Sequence, residues 1–370
     1  MTLSLRAYSS VDELPRGAWD QLVRDCHASI FFDTHILDGM HHHSIETPLA
    51  ARYFAIADRD ELVAVAAAHA IRYSVWWQFY EQNACDDVFR APWITMPTTI
   101  TWNGNVPLRA GSDPGEIAAM LVAAGRQFAR DQGAVALGIT NVTRDAPLTA
   151  PLRALADLPV FFDNNAVLAM HASFDAYLAS LDGYTRRELQ RLRRRAAERG
   201  CRWVTYRPAD YPPGIFDKLL VLANAAAIRY DQDPEYDMAM LTALAAPPSA
   251  RLLIAVAEGE PVGFFLIHED ADTLYVQAGG WDVSRKELSA FVTLFHDVVQ
   301  EAHELHKKTI EFGRTNYKFK RKHGCHFVPL YGLFYLTELA DEGLRDRLLS
   351  VQRARSDYVR DGGGDPTLLT

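Results

Sequence analysis

Two stretches of the chain share one order of hydrophobic and polar positions. In the first, apolar runs at 52–57 and 61–68 flank Asp58-Arg59-Asp60 and predict a strand hairpin. In the second, 251–257 and 261–267 flank Glu258-Gly259-Glu260 and predict another, followed by a third strand at 273–277. Each stretch continues with helical spacing. Ile117, Leu121, Ala124 and Phe128 mark one helix, and Leu288, Phe291, Phe295, Val298, Val299 and Ala302 mark the other. Each helix leads into a strand, 134–140 and 309–315, and both strands end in Gly-x-Thr, at Gly138 and Gly313. The repeated order predicts a duplicated mixed α/β unit, two copies packed side by side with a cleft between them.

The Pro-rich stretch 147–159, followed by a new strand at 161–170, sets the expected boundary. The expected organisation is a first domain over 1–160, a second over 161–350, and a helix end with a disordered tail over 351–370. An insert at 73–111, rich in Trp and Pro, reads as additional strand and loop walling a cleft. Between the units, 174–199 reads as a helix, or two helices broken at Asp182-Gly183, and Gly200 ends it. Arg187, Arg191, Arg194 and Arg195 recur at helical spacing along one face. Such a row is either a solvated surface or a contact for phosphate or RNA, for which arginine's planar fork is suited.

At 370 residues, 49% hydrophobic and 23% charged, the chain has the material for two globular domains. Cys26, Cys85, Cys201 and Cys325 are scattered, with no export signal or membrane span read from the sequence. The expectation is reduced thiols in a cytosolic protein without membrane insertion. A net charge of −9 argues against a DNA-coating protein. Against that sign stands Glu311-Phe-Gly-Arg-Thr-Asn-Tyr-Lys-Phe-Lys-Arg-Lys-His-Gly324, a Gly turn followed by Arg314, Lys318, Lys320, Arg321 and Lys322. A cationic turn at a strand end suits a phosphate-bearing or oxyanion-forming ligand, and equally a solvated basic loop.

Metal and nucleophile readings are weaker. His41, His42 and His43 are adjacent and point to different sides of any helix or strand. His303 and His306 lack zincin spacing, so no metal site is expected. Cys325 reads as a buried inert thiol. Glu311 is either a general base or an ion-pair partner for Lys308 or Arg314.

The helix Thr185–Gly200, the hairpin Ala-x-x-Gly-x-Pro-Val-Gly (Ala257 to Gly263) and the closing Phe319-Lys320…Gly324 together resemble the Fem-type peptidyltransferases. Members of that group carry two copies of the GCN5-related N-acetyltransferase (GNAT) fold. The resemblance covers about residues 165–335 best. It implies transfer of an acyl or aminoacyl group to an amine of a small molecule or peptide. The donor would be a co-substrate, aminoacyl-tRNA or acyl-CoA, with no permanently bound cofactor. It also implies that Lys320 stabilises charge on the reacting carbonyl. Read from the residues themselves, Tyr317 is suited to shuttle a proton or hold the acceptor, and Glu311 is the candidate general base. Arg187, Arg191, Arg194, Arg314 and Lys318 are the candidate donor contacts. Two features depart from the family. There is no Gln/Arg-x-x-Gly-x-Gly/Ala pyrophosphate loop, its place being taken by the turn 279–285, and no long helical arm. The alternative is a non-catalytic RNA- or nucleotide-binding protein on the same fold.

Overall fold

The computed structural model describes every residue except 1, 44–47, 73–87, 90, 99–100, 230–233, 235, 368 and 370. Most of the 73–111 insert's first half therefore lies outside the described residues. The chain divides into two compact units, residues 1–165 with 327–370, and residues 166–326. The expected assignment of 327–350 to the second domain does not hold, because these residues return to the first unit.

In the first unit, β1 (Leu3–Tyr8), β2 (Ala50–Asp58), β3 (Glu61–Ile71) and β4 (Trp93–Met96) are joined antiparallel in that order. Next, β4 pairs parallel with β5 (Ala136–Val142). The neighbour of β5 is β12 (His326–Leu336), antiparallel, a strand that follows the second unit in sequence. Helices α1 (Arg16–Asp25) and α2 (Thr34–His43) precede β2, and α3 (Pro114–Asp131) crosses between β4 and β5. Asp113 caps α3 by accepting from the Gly115 and Glu116 amides, and Pro114 sits at its first position. A short helix α4 (Thr149–Leu155) leads to β6 (Leu158–Ala169), a strand that passes from one unit into the other.

The second unit repeats this order. After α5 (Phe174–Ser180) and α6 (Gly183–Glu198) come β7 (Arg202–Tyr206), α7 (Ile215–Arg229) and α8 (Met238–Ala245). Then β8 (Ala250–Ala257), β9 (Glu260–Glu269) and β10 (Thr273–Trp281) continue antiparallel from β7. Helix α9 (Ala290–Glu304) crosses to β11 (Thr309–Glu311), which pairs parallel with β10 and antiparallel with the end of β6. Strand order and sense are thus the same in the two units, as the repeated pattern predicts. The sequence break at Asp182-Gly183 is the junction of α5 and α6, where Asp182 accepts from the Tyr184 and Thr185 amides. The stretch after Asn316, read as a basic loop, is instead a helix, α10 (Tyr317–Lys322). The C-terminal stretch forms α11 (Leu344–Asp361), longer than the helix end expected there.

In the first unit α11 is anchored to β6 through a buried ion pair, Arg355 with Asp163, both essentially without exposure. Removing one partner leaves an uncompensated buried charge, which costs about 3–5 kcal/mol. Arg355→Met should lower the unfolding free energy, read from urea titration, by that amount, whereas Arg360→Met, whose guanidinium is exposed beside Asp357, should leave it within about 0.5 kcal/mol.

Candidate functional site

β10 and β11 pair only from Thr273–Tyr275 against Thr309–Glu311. Beyond that, β10 runs on beside β9 to Trp281 while β11 stops, so the two parallel strands separate. The chain leaves β11 through backbone that is left-handed at Gly313 (φ 67°), Thr315 (φ 64°) and Asn316 (φ 52°). For a β-branched residue this conformation is strained by roughly 1–3 kcal/mol, and it persists only where the surroundings enforce it. The enforcing group is Lys320. Its side chain folds back from α10 and Nζ donates to the carbonyls of Phe312 (2.8 Å), Gly313 (3.1 Å) and Arg314 (2.5 Å). His323 closes the same helix, with Nδ1 2.8 Å from the Phe319 carbonyl. A carbonyl only accepts, so Nδ1 carries the proton.

The expected cationic cluster is therefore divided. Lys320, Arg314, Tyr317 and Glu311 are buried around the turn, and Lys318 and Arg321 stand in solvent. Lys322 is half-exposed, 2.9 Å from Glu188 and over the Tyr184 ring. The Lys320 ammonium is turned onto its own backbone. Glu311 adjoins Tyr275 across the parallel pair, and burial first, then the Glu311 charge, pushes the Tyr275 phenol up.

Arg187, Arg191 and Arg194 lie exposed on α6. Their acid neighbours are loose, Arg191 with Glu188 at 4.0 Å and Arg194 with Glu198 at 3.7 Å, so little holds them in place. The arginine that α6 turns inward is Arg193, which pairs with Asp297 at 2.7 Å and lies over the Trp203 ring. Helix α6 also packs against the Lys286–Leu288 turn and α9.

That turn adjoins the 279–285 segment, which the sequence reading sets in the place of the pyrophosphate loop. Gly279 and Gly280 are in β10, not in a turn; the connection is 282–289. Gly280 is required by close approach, since a Cβ there would lie 2.1 Å from the Leu222 carbonyl oxygen of α7. A cavity of about 300 Å³ opens where α9 begins, lined by Trp281, Arg285, Lys286, Ser289 and Phe291. Ser289 is left-handed (φ 50°) and gives α9 no side-chain cap. An uncapped helix start with Arg285 and Lys286 beside it favours an anionic group. Gln277 is buried in β10, its Oε1 without a hydrogen-bond partner among the described residues. No spacing or charge signal in the sequence marks it.

The sequence model of the GNAT acetyltransferase domain matches residues 183–321. No curated protein matches the chain. Among solved structures, FemX is similar over 90% of this chain and 97% of its own, at 12% identity and a TM-score of 0.62. The C-terminal domain of a putative lysylphosphatidylglycerol synthetase from Agrobacterium fabrum follows at 12% identity and 0.56, covering 95% and 98%. A tandem GNAT protein from the clavulanic acid biosynthesis pathway aligns at 13% identity and 0.51, covering 90% and 98%. The fold is the Fem-type tandem GNAT fold. In it the pair β10–β11 and the helix α9 belong to the second GNAT unit, which also contains all of the matched residues.

The other constellations weighed from the sequence do not converge on this GNAT unit's strand separation. Among the described residues no group of His, Cys, Asp or Glu is arranged to hold a metal. The side chains of His42 and His43 lie outside the described residues. Cys325 is buried and its thiol is pushed up to about 12 by burial, which keeps it neutral.

Asp297 supplies a titration test. Burial holds its carboxyl up at about 6, against an ordinary 3.8, despite the Arg193 guanidinium. An acid raised by folding contributes stability that is full below the unfolded value and is lost as pH rises through the folded one. At roughly 1.4 kcal/mol per pH unit, the span is about 3 kcal/mol. The stability of the parent relative to Asp297→Asn should therefore fall between pH 4 and 6.5, measured by urea midpoints. A flat difference would show an ordinary carboxyl.

Proposed function

We propose that the protein is an N-acyltransferase. It moves an acyl or aminoacyl group from a phosphate-bearing co-substrate, acyl-CoA or aminoacyl-tRNA, to an amine of a small molecule or peptide. The observation that carries this reading is the separation of β10 from β11 beside the uncapped start of α9, with Arg285 and Lys286 at the cavity. The GNAT match and the fold shared with FemX and the tandem GNAT protein support acyl transfer in general.

In this reading the amine nitrogen attacks the donor carbonyl directly, its proton passes to Glu311, and the donor's thiol or ribose hydroxyl leaves protonated. Orientation of the two reactants supplies much of the acceleration. Tyr317, at the first position of α10, is the hydroxyl assigned to the leaving group. The exposed arginine row of α6, a helix that packs against the Lys286–Leu288 turn, favours tRNA as the donor. The same row supports the second reading, a non-catalytic RNA binder. No helix among the described residues is long and apolar enough to cross a membrane.

Incubation with charged total tRNA or with a panel of acyl-CoAs, each with an amine mixture, should deplete the acyl group of one donor. Loss from neither, with tRNA still bound, leaves the binder. If tRNA is the donor, binding should weaken steeply with salt. Arg187→Ala, Arg191→Ala and Arg194→Ala together should then flatten the plot of log K against log salt by roughly 0.7–0.9 for each phosphate no longer neutralised. Arg285→Ala should weaken either donor.

A further inference from the structure

We infer that Lys320 is a positioning residue, which fixes the peptide orientations of the 312–315 turn and acts on the reaction only through them. The inference rests on the acyl-transfer reading for its last step. Its structural part stands alone.

An ammonium group has three N–H donors. At Lys320 three successive carbonyls, those of Phe312, Gly313 and Arg314, lie within hydrogen-bond distance of Nζ. The side chain is 5% exposed. In a trans peptide the N–H points opposite to the C=O of the same plane. Drawing those carbonyls in turns the N–H groups of Gly313, Arg314 and Thr315 away from the ammonium. Phe312 donates to Ala166 of β6 and Gly313 accepts from it. The Gly313 N–H, opposite the Phe312 carbonyl across their shared peptide plane, is thereby turned away from the ammonium, at the point where β10 and β11 have separated. The Gly313 and Thr315 amides have no hydrogen-bond partner among the described residues. The left-handed Thr315 is what such a turn costs the chain, and the lysine offsets it. Backbone N–H groups at the strand separation, rather than the ammonium, are then placed to meet the oxygen of a reacting carbonyl.

The test compares Lys320→Met, which keeps length and apolar stem but has no donors, with the parent. Amide hydrogen exchange read over 312–318 should accelerate by at least about 10-fold in the variant, with the strands β8 to β10 unchanged. Turnover with the donor found by the screen should fall on the order of 10²-fold, the scale of a misplaced reacting geometry, with donor affinity within a few-fold. Lys320→Arg should fail similarly, because a planar fork does not meet three converging carbonyls. Unchanged exchange with lost turnover would overturn the inference and return the ammonium to the reacting carbonyl. Unchanged exchange and unchanged turnover would overturn it as well. Should Lys320→Met not fold, the parent still decides: with 15N-labelled lysine, the Lys320 ammonium protons should be protected from solvent exchange, and rapid exchange refutes the pinning. If no donor is ever consumed, the acyl-transfer reading fails, while the exchange experiments still judge the turn.

Discussion

Three carbonyls drawn toward one point need a cation, and a buried ammonium needs three acceptors. At Lys320 each requirement meets the other, and much of the second unit's local shape follows. β11 is cut to Thr309–Glu311 because the next peptides are rotated inward, out of the ladder with β10. Lys320, the fourth residue of α10, reaches back over the bend from there. At the strand separation the peptides that follow β11 are thus held by one lysine's protons.

From that helix an aromatic series extends through the unit. Trp281 lies on Phe291, Phe291 on Phe319, and Phe319 on His323, with ring centroids 4.5, 4.9 and 3.9 Å apart. His323 meets His296, and His296 meets Tyr177. The Tyr177 hydroxyl has one proton and gives it to the His323 carbonyl at 3.1 Å. The contact with His296 Nδ1 at 3.3 Å then has the imidazole as donor, which fixes its tautomer. Burial, and after it His323, holds His296 well below its ordinary pKa, so this donor is neutral. The series therefore sets α10 against α9 by ring packing, and α9 against α5 by ring packing and a neutral hydrogen bond, while the buried ammonium of Lys320 is kept for the turn.

Most of the fold was legible because hairpins and amphipathic helices declare themselves over a few residues. Asp58-Arg59-Asp60 and Glu258-Gly259-Glu260 sit between period-two runs, and the structure has strands on both sides of each. The return of 327–370 to the first unit was not legible. Pairing of β12 with β5 joins residues about 190 apart, and nothing local in Phe334 names Gly138 as its partner. At the site, the Gly turn and its cations were visible as composition, but direction was not. Lys318, Lys320 and Lys322 look alike in a string, yet a six-residue helix turns one inward and two outward. Gln277 gave no signal, because a buried orphan oxygen is a property of its surroundings. The cavity at α9 was half seen: 279–285 was recognised as the corresponding segment, but its glycines serve the packing of β10 against Phe265 and α7.

The first unit shows what the lysine adds. It has the same strand order, with β4 and β5 parallel and a Gly-x-Thr on β5. There Gly138 is inside the strand, opposite Phe334, and a Cβ would meet the Phe334 and Trp93 rings at 2.9 and 3.0 Å. The glycine is kept for ring packing, not for a left-handed turn, and β5 continues to Val142. Where β4 and β5 would part, the chain closes the space itself. The Gly104 amide donates to the Asn141 carbonyl at 2.8 Å, and a Cβ on Gly104 would lie 2.0 Å from the Thr140 carbonyl oxygen. The Thr95 and Thr140 hydroxyls meet at 3.3 Å across the same gap. One motif thus has two outcomes. Where the following residues supply an ammonium within reach of three carbonyls, the strand ends and the gap stays open. Where they do not, the backbone hydrogen bonds find protein partners and the gap is filled. Among the described residues the gap is filled in the first unit and open in the second, and a coarse sequence repeat does not separate the two cases, since Lys320 stands outside it.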